Sequence, residues 1–558
     1  MKHYSSDKPA SNKSHIKDVS SRGLVEFCFS RYHSHKSPGP VLKMKKFDLD
    51  EILISLGGWG KFQSLYYLVL CSAIIFSVFP AMNYIFVARD IKYRCQVDTC
   101  DKENGEFNPD WLENAVPFEQ NIPSKCSYYE PQENDTCIYF NMSSTLTCHR
   151  DFVYERNETT IVHDFDIKCD ENLWKLTIVG TINVVGKLLC LPLAGFCSDR
   201  FGRKSMIIVS VFLSTVVGLI RSFSLSYYMY VGLEFLNTVV GSGVYSGAFI
   251  LALELVDSKR RNMGNSIICF AFTIGHILLG AAAWVSPSWQ FMLQIMYAPG
   301  LLVTVLLWFI PESVRWLISK NKITEAQEIL KNIAKINGSE LTEETLKSIP
   351  YIEQTDKAEE NDKIPLMAIL RKKSLLIRII HCSFTWICCN FPYYGLTIQS
   401  VALSQDIYVN YMCVSVVEIP AYILAYGALD RIGRKKTLAL SLILTGVACI
   451  SVDFIRPGSP LALVVFLSGK LFVTVSYMTI YIYTAELFPT SSRHSAFAVC
   501  SMFGCVGSML APQVPLLAKV YKPLPLMVFS AMAFTAGFLS FLFPETNESK
   551  LPEEIDKS

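Results

Sequence analysis

Apolar stretches of about 20 residues, the length that crosses a hydrocarbon core, recur twelve times along the chain. They lie near 62–87, 174–197, 205–222, 226–252, 263–286, 288–310, 375–403, 408–429, 437–455, 460–485, 495–517 and 525–543. Six precede and six follow a polar segment at 311–374, where Thr324–Ile336 repeats apolar residues at helical spacing and stops at Asn337-Gly338. That pattern predicts a helical linker between two bundles. The expected architecture is an all-α membrane protein. It has a tail over 1–61, a six-helix half over 62–310, the linker, a second six-helix half over 375–543 and a tail over 544–558.

The halves are related by duplication. Asp199-Arg-Phe-Gly-Arg-Lys204 recurs as Asp430-Arg-Ile-Gly-Arg-Lys435, an offset of 430 − 199 = 231. Glu254-Leu255 with Arg261 recurs as Glu486-Leu487 with Arg493, at 486 − 254 = 232, and Pro311-Glu312-Ser313 as Pro544-Glu545-Thr546, at 545 − 312 = 233. Three coordinated matches exclude chance. Parallel repeats of this kind can rock about a midplane site, the geometry of alternating access.

Composition agrees with a membrane class, at 51% hydrophobic and 18% charged residues. A net charge of +2 gives no sign of nucleic-acid binding. The short loops carrying Arg200, Arg203 and Lys204, then Lys259–Arg261, then Arg431 and Arg434–Lys436 are cytoplasmic by the positive-inside rule, which puts both termini inside. The segment 88–173 then lies outside. It holds six cysteines, Cys95, Cys100, Cys126, Cys137, Cys148 and Cys169, and sequons at Asn134, Asn141 and Asn157. This predicts a disulfide-stapled, glycosylated ectodomain of open connectivity, not a metal site. Sequons at Asn337 and Asn547 fall on the inner side and are expected to stay bare. Residues 1–46 have no apolar run of signal-peptide length, so the first span is expected to act as an uncleaved signal anchor.

Charge inside the apolar segments marks candidate function. Twelve positions before each loop aspartate stand Lys187 and Glu418, about 18 Å along a helix and near mid-membrane. Either Glu418 is free to attract a cation, or it pairs with Lys187 across the cavity and substrate competes with that pair. Span 7 concentrates Phe384, Trp386, Asn390, Phe391, Tyr393, Tyr394 and Gln399, and aromatic faces attract organic cations. His276 and His381 read as packed or hydrogen-bonded. Gly180–Lys187 departs from a phosphate-binding loop in length and in Leu188, so no nucleotide and no cofactor is implied. The acids and bases shared by both halves, Asp199, Arg203, Glu254, Asp430, Arg434 and Glu486, predict one cytoplasmic gating latch that favours the outward-facing state.

Several motifs together resemble the organic cation, anion and carnitine transporters of the major facilitator superfamily. They are Leu56-Gly-Gly-Trp-Gly-Lys-Phe-Gln63, the Cys-rich first loop, Pro311-Glu-Ser-Val-Arg-Trp-Leu317, Val417-Glu-Ile-Pro420 and Tyr483-Thr-Ala-Glu-Leu-Phe-Pro-Thr490. The resemblance implies binding aromatics at Trp386 and Tyr393, with Tyr245 in an equivalent place in span 4, and it gives Lys470 a role in meeting a carboxylate. Lys187 departs from the family pattern, and Cys505 stands where the family's diagnostic Asp or Arg would be. The implied function is a plasma-membrane transporter of small organic cations or zwitterions such as carnitine-like amines, anchored on Glu418. The rival is organic anion exchange through Lys187 and Lys470. A receptor-like protein with vestigial transport is the alternative of another class. The partners expected are a small organic ion and the bilayer, with oligomeric state open.

Overall fold

A computed structural model describes residues 49–342, 346, 373–402, 406–456, 458–488 and 493–546, except 99, 102–104, 120–121, 133–136, 138, 149–150 and 157. Asn134, Asn157, Asn547 and the N-terminal tail before residue 49 lie outside these.

Among the described residues, eleven helices are long and apolar enough to span a bilayer. Spans 1–6 are Lys61–Val87, Asp170–Phe201, Arg203–Arg221, Tyr227–Glu254, Met263–Val285 and Trp289–Trp308. Spans 7–11 are Leu375–Gln399, Ile407–Ile432, Arg434–Val452, Pro460–Leu487 and Ser495–Val520. A shorter apolar helix, Leu524–Ser540, completes twelve as span 12; its 17 residues cover about 26 Å. Helix starts follow local chemistry. Ser226, Ser288 and Ser459 accept from the backbone N–H three residues on, which satisfies an orphan donor at the heads of spans 4, 6 and 10.

Buried polar groups lock the first half. Arg221 of span 3 pairs with Glu234 of span 4, both fully buried. Asn183 of span 2 donates to Glu234 at 2.6 Å, Arg221 donates to Asn83 of span 1 at 2.9 Å, and Asn237 of span 4 donates to Tyr297 of span 6 at 2.5 Å. Separating such groups in hydrocarbon would leave each unsatisfied, so these bonds hold the spans together. The repeat offset puts Val452 and Phe466 at the corresponding places in the second half, where apolar clusters form around residues such as Leu442, Tyr483, Phe391 and Phe529.

Among its described residues, the insertion between spans 1 and 2 carries three two-stranded antiparallel sheets, pairing Tyr93–Cys95 with Phe152–Tyr154, Phe118–Glu119 with Ile122–Pro123, and Ser127–Pro131 with Phe140–Thr147. Its six cysteines pair as Cys95–Cys148, Cys100–Cys137 and Cys126–Cys169. Arg94, wholly buried, meets Asp101 through two bonds of 2.7 and 2.8 Å. Asn141 lies in the strand Phe140–Thr147.

In the linker, helices Val314–Ser319 and Ile323–Asn337 are described, the second ending at Gly338 in a left-handed conformation. Asn337 explains the Gly-Gly-Trp-Gly-Lys-Phe-Gln motif. Its amide donates to Leu56 O and Gln63 Oε1 at 3.0 and 3.1 Å and accepts from Phe62 N at 3.0 Å. Gly60 passes so close to that side chain that a Cβ would collide with it.

Candidate functional site

The centre of the bundle is built around Glu418, 3% exposed in span 8. Its carboxylate accepts from Tyr393 Oη at 2.9 Å and Tyr422 Oη at 3.0 Å, and pairs with Lys470 Nζ of span 10 at 2.9 Å. Lys470 is itself fully buried, donates to Thr397 Oγ1 at 2.9 Å and stands 3.5 Å from the Tyr393 ring centroid. This corrects both expectations for Glu418. It is neither a free anion nor the partner of Lys187, because span 10 brings a cation inside the same half. Lys470 is likewise not a free carboxylate attractor.

Lys187 lies half-buried in span 2 and reaches across to the other half. Its ammonium donates to Tyr394 Oη at 3.3 Å and sits 5.5 Å from that ring's centroid. Tyr481 and Cys505 also lie within its electrostatic reach.

The aromatic wall differs from the one expected. Tyr245 packs against Phe249 and Phe272. Tyr393 stacks on Tyr477 with ring centroids 4.5 Å apart, and Tyr477 Oη lies 3.0 Å from Tyr481 Oη. Trp386 sits behind this wall, 1% exposed, donating to Thr484 Oγ1 at 2.9 Å and packed on Tyr481 and Phe497. Asn390 is buried against Gly504. Sequence reasoning missed Tyr477, Tyr481 and Tyr422. Two signals mark the first two. Lys470, Thr474, Tyr477 and Tyr481 follow one another at helical spacing of four, three and four. The duplication also carries Tyr245 to Tyr477 and Phe249 to Tyr481, since 477 − 245 and 481 − 249 are both 232.

The charged loops form two separate rings, one per half, and not a single latch. Arg203 meets Asp199 at 2.9 Å and Glu254 at 3.5 Å. In the other half Arg434 turns to Glu486 at 3.2 Å, while Asp430 is exposed. The repeated Pro-Glu-Ser/Thr glutamates, unassigned from sequence, organise both rings. Glu312 accepts from Arg203 N and Lys204 N at 3.0 and 3.1 Å; Glu545 accepts from Arg434 N and Lys435 N at 3.0 and 3.4 Å. These are helix N-terminal donors. Gly202 and Gly433 make the approach possible, with φ of 103° and 93° and glutamate oxygens where a Cβ would stand.

Hydrogen bonds between the halves lie at mid-depth and toward the disulfide-bonded insertion. Gln513 accepts from Thr177 at 2.9 Å and donates to Thr181 at 2.7 Å, and His276 Nδ1 lies 2.7 Å from Tyr411 Oη. Glu158 of the insertion bonds both Arg89, just past the end of span 1, at 3.1 Å, and Tyr408 of span 8. At the opposite end, among the described residues, each loop ion pair stays inside its own half or runs from Asp50, just before span 1, to Arg261 of the first half and Arg315 of the linker. His381 is stacked on Phe543.

Two sequence-related six-helix halves enclosing a polar, aromatic centre define a carrier of the major facilitator fold. Residues 127–557 match the family described as sugar (and other) transporter. The organic cation transporter protein of Drosophila melanogaster is 31% identical over 91% of this chain and 94% of its own length. Solute carrier family 22 member 21 of Mus musculus is 30% identical, covering 91% and 93%, and organic cation/carnitine transporter 2 of Homo sapiens 28%, covering 91% and 94%. Among solved structures, a partially occluded inward-open xylose transporter from E. coli aligns with a TM-score of 0.56 at 16% identity, covering 87% of this chain and 99% of that one. The chain belongs to this transporter family of the major facilitator superfamily, in the branch of the organic cation and carnitine transporters.

Proposed function

We propose that the protein carries small organic cations or zwitterions, such as carnitine-like amines, across the plasma membrane by alternating access, with both termini cytoplasmic. One observation carries this reading: Tyr245, stacked on Phe249, and Tyr481, packed on Tyr477, lie within reach of one another and of the buried charges, at the interface of two halves whose described hydrogen bonds lie chiefly toward one end. With the insertion outside, the bonded end is the outer gate and the conformation faces inward. An ammonium over such rings gains about 0.5–2 kcal/mol, and each positive charge moving inward gains about 2.3 kcal/mol per 100 mV. The two loop rings then act as gating elements that stiffen each half, with Asp199, Arg203 and Glu254 in one and Asp430, Arg434 and Glu486 in the other. No catalytic step is needed. Uptake of radiolabelled tetraethylammonium, carnitine and para-aminohippurate, under imposed voltage and with surface delivery measured by biotinylation, tests the reading. Saturable flux of one or more probes is expected. Correct delivery with no saturable flux of any would refute transport and favour a receptor-like role.

A further inference from the structure

The central charges do not cancel. Glu418 and Lys470 neutralise each other in a pair with side-chain exposures of 4% and 0%. Their half also supplies the remaining polar contacts, from Tyr393, Tyr422 and Thr397. Lys187 is the pseudo-twofold counterpart of Glu418, and the duplication shows where its own counterion would stand: 470 − 232 = 238. That position is Thr238, a neutral side chain whose hydroxyl is spent on Glu234 O at 2.8 Å. Among the described residues, the groups facing the Lys187 ammonium are Tyr394, Tyr481, Cys505 and Cys190, and none is a carboxylate. His276 lies on the Glu418 side and is engaged by Tyr411. One positive charge is therefore left over at half depth, where an ammonium without an anion is costly.

We infer that Lys187 docks an anionic group of the transported molecule, a carboxylate or a group of like charge and size, and so selects substrates that bear one. The inference rests on the transport reading above and narrows it. The remainder of such a substrate lies against Tyr481, within reach of the ammonium, and against Tyr477, bonded to it, with Tyr245 on the facing half. A zwitterion keeps a cationic end for those rings; a plain organic anion offers them an apolar one. Tyr394 Oη, already 3.3 Å from the ammonium, is placed to give a second bond to the same carboxylate.

The test uses the full chain, carrying Lys187→Gln or Lys187→Arg, with carnitine as the zwitterion, para-aminohippurate as the anion and tetraethylammonium as a cation without an anionic group. Uptake is normalised to surface protein, and the purified chain is also heated in detergent with each probe. The wild type is expected to move a carboxylate probe. Lys187→Gln should raise its KM about tenfold or more, the loss of one charge-assisted bond, with kcat retained, and Lys187→Arg should recover most of the affinity. Unchanged KM in Lys187→Gln, or wild-type flux confined to tetraethylammonium, overturns the inference while leaving transport standing. No flux of any probe refutes transport instead. In that case thermal stabilisation by a carboxylate probe, present in wild type and absent in Lys187→Gln, still supports docking, and its absence overturns it.

Discussion

Removing one charge from the Glu418–Lys470 pair and then both separates a structural pair from a free binding anion. Buried ion pairs broken at one partner lose about 3–5 kcal/mol, because the survivor is left uncompensated in a low dielectric. The geometry sets where each variant falls. In Lys470→Met the Glu418 carboxylate keeps two hydroxyl donors, at 2.9 and 3.0 Å, which places the loss at the lower end, about 3 kcal/mol. In Glu418→Gln the amide oxygen can still accept from Lys470, and the ammonium keeps Thr397 and the Tyr393 ring, so about 2 kcal/mol is expected. The double variant leaves no charge behind and should lose only about 1–2 kcal/mol, a coupling of about 3–4 kcal/mol relative to the sum of the singles. The readouts are the detergent melting midpoint and the fraction of chain reaching the surface. Both should fall in each single variant and recover in the double. If Glu418→Gln alone melts like the wild type and the double variant is no better than Lys470→Met, the pair does not stabilise the fold and the reasoning fails.

Asn337→Ala should lower the melting midpoint by the loss of three bonds around the head of span 1, about 2–3 kcal/mol in total; an unchanged midpoint would show that the linker helix is not pinned there. Glu312→Ala and Glu545→Ala should each remove the acceptor from a helix N-terminus, at about 1–2 kcal/mol apiece. Because they lie in different halves their melting shifts should add, and strong non-additivity would argue for one joined latch. Glu158→Gln weakens the strut between Arg89 and Tyr408. It should raise labelling of a cysteine introduced at Thr177 by an impermeant maleimide applied from outside, above the wild-type background; equal labelling would remove the insertion from the outer gate.

Much of this protein is written in its linear pattern. Runs of apolar residues at bilayer length set the twelve spans, because backbone in hydrocarbon has few solutions besides a helix. The repeated loop hexapeptides set the duplication, and with it the equivalence of Lys187 and Glu418. The tertiary structure alone decided who meets whom. Glu418 bonds Lys470, 470 − 418 = 52 positions away, and not its symmetry mate. Trp386 turns into the core of its own half, while Tyr481 comes within reach of Lys187 from the other half. Arg434 chooses Glu486 over Asp430, and the six cysteines take one pairing of fifteen. The physical reason is common to all of these. Helical periodicity gives a side chain its face, but the rotation and crossing of packed helices decide which neighbour lies opposite, and a charge in a low-dielectric interior goes to the partner that is within reach.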